Sequence, residues 1–368
     1  GETKKFAIYG DIRTTAFVGA QINVQIDTYY DFPGQYTWAG IGSVAPVGNT
    51  FTIGPAIIPP SVTSSTLVFL GGGNDVTPYA SFNDIFSSSN LQQWSLMSTN
   101  TAASSMWSGR RSFEALSFNN KYWVFGGGTP FVPRLTDIWN SSNGTTWSQV
   151  ASTVPFADYY RYKSIVFNNK IYVIGGRSNY MGGIEYAKAW STTDGINWTI
   201  RSSGTTDNLR GVSNNGSNII VAVGNSGTVV RSTNDGATWT VVNSGITETL
   251  LNLSYGNGTF AASGNNGTIA TSADGSTWTT EVSNTTNNLS GITYGNGLFV
   301  AVGDVGTIIT APTAQTWSVQ TSGTAKNLYA VSSGNGVIVT AGDAGNILIS
   351  SNANSWESVT SGSANNLL

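Results

Sequence analysis

Trp239, Trp278, Trp317 and Trp356 follow one another at intervals of 39 residues. A fixed period of that length leaves few options, because each copy must fold as one small unit and bury its faces against the next. The copies agree elsewhere too. Residues 219–224, 298–303 and 337–342 are apolar runs ending in Gly, and each follows an Asn/Gly turn. A second, alternating run comes next, and then the Trp.

Upstream the period loosens without vanishing. Trp198, Trp147 and Trp94 precede Trp239 in steps of 41, 51 and 53 residues. Residues 119–127 and 168–176 share Asn-Asn-Lys, an apolar run and Gly-Gly, with a weaker copy at 66–72. In these three repeats an aromatic stands eight residues before the Trp (Phe86, Trp139, Trp190), where the last four carry Arg231, Ala270, Ile309 and Leu348.

Each repeat reads as four strands, a to d. Strand a is half apolar, b is a near-continuous apolar run, c alternates, and d carries the Trp. Asn143-Gly144, Asp194-Gly195, Asp235-Gly236 and Asp274-Gly275 join c to d, and such dipeptides accept the positive φ of tight hairpins. Four-stranded units at a period near 40 predict the blades of a β-propeller. The seven Trp residues, Trp94, Trp147, Trp198, Trp239, Trp278, Trp317 and Trp356, predict an all-β fold with seven blades over residues 55–368. One large aromatic per blade would fill each gap between neighbours, worth roughly 2–3 kcal/mol in burial. A Leu stands 11 residues after each Trp from Trp198 on, and the last of these is Leu367. Residues 363–368 are therefore expected to dock on the first blade and close the ring.

Residues 1–54 fall outside the repeat and read as a small N-terminal β appendage. Residues 22–26 alternate like a half-buried strand, and Tyr29, Tyr30, Phe32, Tyr36 and Trp38 make the segment too apolar for a linker. It is expected to contact another subunit or a larger particle, or equally to form a β-layer of its own that covers the propeller.

Composition narrows the chemistry. Only 10% of residues are charged, the net charge is −3, and there is neither His nor Cys. That removes the usual ligands of catalytic metal sites and the imidazole of acid–base relays. There is no basic footprint for nucleic acid, and no apolar run long enough for a membrane span. No catalytic residue, metal or cofactor is expected. The chain begins at Gly1 without an initiator Met, which suits a processed form.

The first three repeats resemble kelch blades, through the Gly-Gly after strand b and the aromatic on strand c. The later ones resemble BNR (Asp-box) repeats, as in Ser191-Thr-Thr-Asp-Gly-Ile-Asn-Trp198 and Ser232-Thr-Asn-Asp-Gly-Ala-Thr-Trp239. The usual Asp position of the box holds Thr193, Asn234 and Ala273, with the Asp one place later. The tandem style is similar to phage tail and fibre proteins, to bacterial surface proteins, and to the photosystem II assembly propeller. The resemblance implies a binding or structural propeller of a virion or cell surface, recognising a host glycan or a neighbouring structural protein. Docking on a large complex as an assembly factor is a further possibility. Sialidases also carry Asp-boxes. Their activity would need an Arg triad, a Tyr–Glu pair and an Asp acid on six blades, and no such motif is visible here. Kelch oxidases build their copper site with His and Cys, which this chain lacks.

The b–c and d–a loops of an a-b-c-d blade share one face. They are short in the last four repeats and long in the first three. The long b–c loops carry Tyr79, Phe82, Phe131, Arg134, Arg177, Tyr180 and Tyr186. The long d–a connectors carry Trp107, Arg110, Arg111, Tyr159, Tyr160 and Arg161. Loop insertions on one face of a repeat array are often its binding face, and aromatics with Arg are frequent interface anchors. These residues are the expected partner or glycan surface, the alternative being that the loops pack on one another or on the N-terminal segment. Asp304 and Asp343, which recur after strand b, read as turn-stabilising side chains.

Overall fold

A computed structural model describes residues 107, 110, 113–127, 135–156, 162–176, 188–334 and 336–360, together with the strands of the first hundred residues. Those early strands are β1 (Lys4–Ile8), β2 (Ala20–Gln25), β3 (Leu67–Leu70), β4 (Gly73–Asn74), β5 (Ala80–Ser81), β6 (Ile85–Ser88) and β7 (Ser95–Ser98).

Six four-stranded antiparallel blades follow, each named here by its Trp. The Trp147 blade contains β8 (Glu114–Phe118), β9 (Lys121–Phe125), β10 (Ile138–Ser141) and β11 (Ser148–Ala151). The Trp198 blade contains β12 (Lys163–Phe167), β13 (Lys170–Ile174), β14 (Lys188–Thr192) and β15 (Thr199–Ser202). The Trp239 blade has β16 (Leu209–Asn214), β17 (Ile220–Gly224), β18 (Val229–Ser232) and β19 (Thr240–Val242). The Trp278 blade has β20 (Leu250–Gly256), β21 (Thr259–Gly264), β22 (Ile269–Ser272) and β23 (Thr279–Glu281). The Trp317 blade has β24 (Leu289–Gly295), β25 (Leu298–Gly303), β26 (Ile308–Ala311) and β27 (Ser318–Gln320). The Trp356 blade has β28 (Leu328–Gly334), β29 (Val337–Gly342), β30 (Asn346–Ser350) and β31 (Glu357–Thr360).

The reason for hairpins at these places is local. Several a–b turns rest on two residues of positive φ, such as Asn119–Asn120, Asn168–Asn169, Asn257–Gly258 and Asn296–Gly297. That backbone matches the twist of the flanking strands. Inner strands β8, β12, β16, β20, β24 and β28 then neighbour one another in succession.

Six regular blades stand where seven were expected. The strands around Trp94 belong to a five-stranded sheet of order β1-β2-β3-β6-β7 instead. In the regular blades the inner strand pairs antiparallel with strand b. Here that place beside β3 is taken by β2, which pairs parallel with it, and β1 lies parallel to β2. A Trp count registers strand d and is blind to where strand a comes from. β2 touches β28 and β8, so this mixed sheet sits between the last regular blade and the first. Residues 363–368, expected to close the ring, and Trp94 itself lie outside the described residues.

The described tryptophans fill the joints between blades. Trp198 packs with Trp123 and Phe125 of the preceding blade and with Val173 and Trp190 of its own. Trp239, Trp278, Trp317 and Trp356 repeat this, each in a cluster drawn from two blades. Trp147 packs on Trp107 with ring centroids 4.2 Å apart, edge to face.

Candidate partner-binding face

The aspartates of the c–d turns proved to be structural. In the Trp198 turn Thr192 Oγ1 accepts from Gly195 N (2.9 Å). Asp194 Oδ1 there accepts from Ile196 N and Asn197 N, both at 2.8 Å. Ser272 and Asp274 do the same in the Trp278 turn. The opening hydroxyl is thus Thr192 or Ser272, one residue later than the sequence comparison began, and the Asp is third from it. In the Trp239 turn, one residue longer, Asn234 fills that role and accepts from Thr238 N (2.9 Å). Asp235 is freed to bond Lys170 and Tyr172 of the preceding blade. Asn143 and Asn352 make the same turn without a charge. Partial burial works against ionisation of Asp194, but those N–H groups hold its carboxyl well below the usual range.

The opposite face carries the b–c turns and d–a connectors. In the last four blades each b–c turn is a single tight turn: 225–227, 265–267, 304–306 and 343–345. The first residue donates its N–H to its own connector: Asn225 to Asn208 O, Asn265 to Thr249 O, Asp304 to Asn288 O and Asp343 to Asn327 O, each at 3.0 Å. The middle residue donates to a side chain on the next blade's connector. Asn266 N reaches Asn288 Oδ1 at 2.9 Å, and Val305 N reaches Asn327 Oδ1 at 2.8 Å. The third residue is Gly because a Cβ on Gly267 or Gly306 would lie 1.9 or 2.1 Å from a connector carbonyl. The face is therefore bonded blade to blade.

Each middle residue has positive φ: Ser226 (50°), Asn266 (54°), Val305 (56°) and Ala344 (49°). For a β-branched residue this is a strained conformation. Val305 nonetheless occupies it, and is 60% exposed.

A β-bulge recurs near the start of the inner strand in the last four blades, at Arg210, Leu251, Ser290 and Tyr329. A bulge re-aims its extra residue, here toward the head of the b–c turn. Arg210 Nε donates to Asn225 Oδ1 at 2.6 Å, and Tyr329 OH donates to Asp343 Oδ1 at 2.7 Å. In the Trp317 blade the bulged residue is only a Ser.

The expected site residues divide sharply. Trp107 is 1% exposed, inside the aromatic cluster with Trp147. Arg110 is fully buried. Its guanidinium donates to Gly126 O (3.0 Å) and pairs with Asp137 (2.9 Å). Burial alone would raise Asp137, but the Arg110 hydrogen bond and charge bring its carboxyl below the usual range. Both residues are interior supports rather than surface anchors. Tyr79, Phe82, Arg111, Phe131, Arg134, Tyr159, Tyr160, Arg161, Arg177, Tyr180 and Tyr186 lie outside the described residues. Val305, Ser290 and Tyr329 were not singled out from sequence. Aligning the residue after each blade Leu would have exposed the Arg, Leu, Ser, Tyr series. Among the described residues no group of three or more acidic side chains could hold a metal ion, and no helix is long and apolar enough to cross a membrane.

These blades define the chain as an all-β propeller. No protein-family model and no curated protein matches the sequence. Two solved propellers are similar in fold. One is YCF48 bound to D1 peptide, at 16% identity and TM-score 0.49, covering 69% of this chain and 86% of that one. The other is YCF48 from Cyanidioschyzon merolae, at 16% identity and TM-score 0.49, covering 67% and 85%.

Proposed function

We propose that this chain is a non-catalytic propeller that holds a segment of another protein on its b–c/d–a face, as an assembly factor or structural component does. The observation carrying this reading is Val305. A β-branched side chain kept in a left-handed turn and exposed to solvent costs stability. Ser, Asn and Ala stand at the same place in the sister turns. Strain of this kind collects at ligand-binding positions. The turn is also pre-organised, since its N–H groups are fixed by two connectors, which lowers the ordering cost of binding.

The sialidase alternative can no longer be separated by blade number, because six regular blades are present. The arginines speak against it. Of the described ones, Arg110 serves Asp137, Arg201 its own strand, Arg210 Asn225 and Arg231 Asp274 O. Of the thirteen residues expected to form the partner or glycan surface, Trp107 and Arg110 are the two described, and both are buried. An extracellular or virion-surface setting remains our proposal on the low charge and the abundance of Gly, Asn, Ser and Thr.

The test is panning of a displayed library of random 12-residue peptides on the whole chain. Peptides should enrich, and Val305→Glu should cut their binding at least tenfold, with blank-level turnover of fluorogenic sialosides. Failure of any peptide to enrich, or sialoside turnover, refutes the reading.

A further inference from the structure

The sequence holds six Asn-Gly pairs, at Asn143, Asn215, Asn257, Asn266, Asn296 and Asn335. Asn is a chemically labile residue, and a following Gly puts no side chain beside the backbone nitrogen that attacks it. Whether such a pair reacts depends on how the fold holds the Asn amide and the Gly N–H. Asn335 lies outside the described residues, and the other five differ sharply.

Four of the five are held. Asn143 Oδ1 accepts from Thr145 N (3.0 Å) and Thr146 N (2.9 Å), while Gly144 N donates to Ser141 Oγ at 2.8 Å. Asn215 Oδ1 accepts from Ser217 N (3.0 Å), Asn218 N (3.1 Å) and Ile219 N (2.9 Å), while Gly216 N donates to Asn214 Oδ1 at 2.9 Å. Asn266 Nδ2 donates to Glu248 Oε2 at 3.1 Å. Asn296 Nδ2 donates to two carbonyls of the next blade, Gly336 O at 2.9 Å and Ser351 O at 3.0 Å.

Asn257 differs from all four. It is exposed at the tip of the a–b turn of the Trp278 blade, with φ 46°. Among the described residues nothing bonds its side-chain amide or the N–H of Gly258. Gly258 is exposed too, and a Cβ added to it would meet nothing within 4 Å. Asn296 makes the closest comparison, because residues 255–258 and 294–297 are both Tyr-Gly-Asn-Gly and both turns have positive φ at Asn and Gly. The bonds to the next blade are what separate them.

We propose that Asn257 is a self-modification site, at which the chain converts its own Asn to aspartate and isoaspartate. The Gly258 nitrogen attacks Asn257 Cγ. The N–Cγ bond forms, the Cγ–Nδ2 bond breaks, and the Gly258 amide proton leaves with Nδ2 as ammonia. The resulting succinimide ring takes up water. Opening at Cγ gives aspartate, and opening at the main-chain carbonyl gives isoaspartate, whose main chain runs through Cβ. Isoaspartate therefore lengthens by one methylene a two-residue turn whose flanks, Gly256 and Thr259, are paired. Either product places a new carboxylate on the a–b face. The inference is independent of the partner-binding reading, because the b–c turns lie on the opposite face.

The test incubates the whole chain at mildly alkaline pH, folded and in parallel unfolded in urea, and follows each Asn-Gly peptide by mass spectrometry. In the folded chain Asn257 should convert at least tenfold faster than Asn143, Asn215, Asn266 and Asn296, with isoaspartate among its products. In urea those four should accelerate at least tenfold and approach the rate of Asn257. A folded rate for Asn257 within twofold of that for Asn296 would overturn the proposal, as would an acceleration of Asn257 in urea equal to that of the other four. Gly258→Ala should fold, since its added methyl meets nothing, and should slow conversion at Asn257 at least tenfold by crowding the attacking nitrogen. Unslowed conversion in that variant would assign the loss of ammonia to direct attack by water and overturn the proposal.

Discussion

Gly195 tests how closely the blades are fitted together. It lies in the c–d turn of the Trp198 blade with φ +77°, and an added Cβ would stand 2.4 Å from Trp123 Cζ3 and 2.5 Å from Cη2 on the preceding blade. Gly195→Ala therefore carries two penalties. The left-handed backbone costs an L-residue about 1–2 kcal/mol, and driving a methyl into a packed indole costs about 1–3 kcal/mol more. Gly258 separates them, because it has φ +76° and nothing within 4 Å of its added Cβ. Gly258→Ala should lose only the first penalty. Urea unfolding followed by Trp fluorescence should place Gly195→Ala below Gly258→Ala by about 1–3 kcal/mol. Equal losses for the two would show that the Trp123 contact is loose, and the fitted-joint argument would fall.

Three further outcomes are expected. Trp317→Ala, which empties a joint shared by two blades, should cost about 3–5 kcal/mol by the same urea titration. Arg110→Met leaves the Asp137 carboxylate enclosed without its cation, and should cost about 3–5 kcal/mol at pH 7. The folded Asp137 carboxyl is depressed, so its contribution is complete above the unfolded value near pH 4 and fades as acid takes the pH down through the folded value. Arg110→Met should accordingly flatten the acid limb of the stability–pH curve, and an unchanged limb would refute the assignment. Val305→Asn should raise stability by about 1 kcal/mol, because Asn tolerates positive φ, while weakening peptide binding. A fall in the melting temperature would show that the turn is not strained.

Much of the blade pattern was legible in the sequence because it depends on local chemistry. Asn-Gly turns, apolar runs ending in Gly and a Trp in each joint are all signals of short range. The mixed sheet was hidden because β2 reaches β3 across a long stretch of chain and pairs parallel with it, which no local motif announces. Trp107 and Arg110 misled for a related reason. Their neighbours in sequence are loop-like, but Arg110 meets Asp137 27 residues away, and a buried pair resembles a surface charge until the fold is known. The reach of Arg210 and Tyr329 to their turns escaped because it shows only once the bulged position is aligned across blades. Asp304 and Asp343 were recognised as recurrent, but the difference in their surroundings was not.

The joints also fix the order of the blades. Across successive joints the strand-b residue and the turn residue it meets are Trp123 with Gly195, Tyr172 with Gly236, and Val221 with Gly275. They continue with Ala261 and Ala314, then Val300 and Ala353, each pair within one cluster. Where the strand offers a ring, at Trp123 and Tyr172, the turn has no side chain, and where it offers the methyl of Ala261 the turn supplies one. The rings at the first two of these joints make them specific, so the blades are not freely interchangeable parts. Placing the Trp317 blade, with Ala314 in its turn, directly after the Trp198 blade would set a methyl against the Tyr172 ring. Repeats of one 39-residue length are thereby not free to be rearranged.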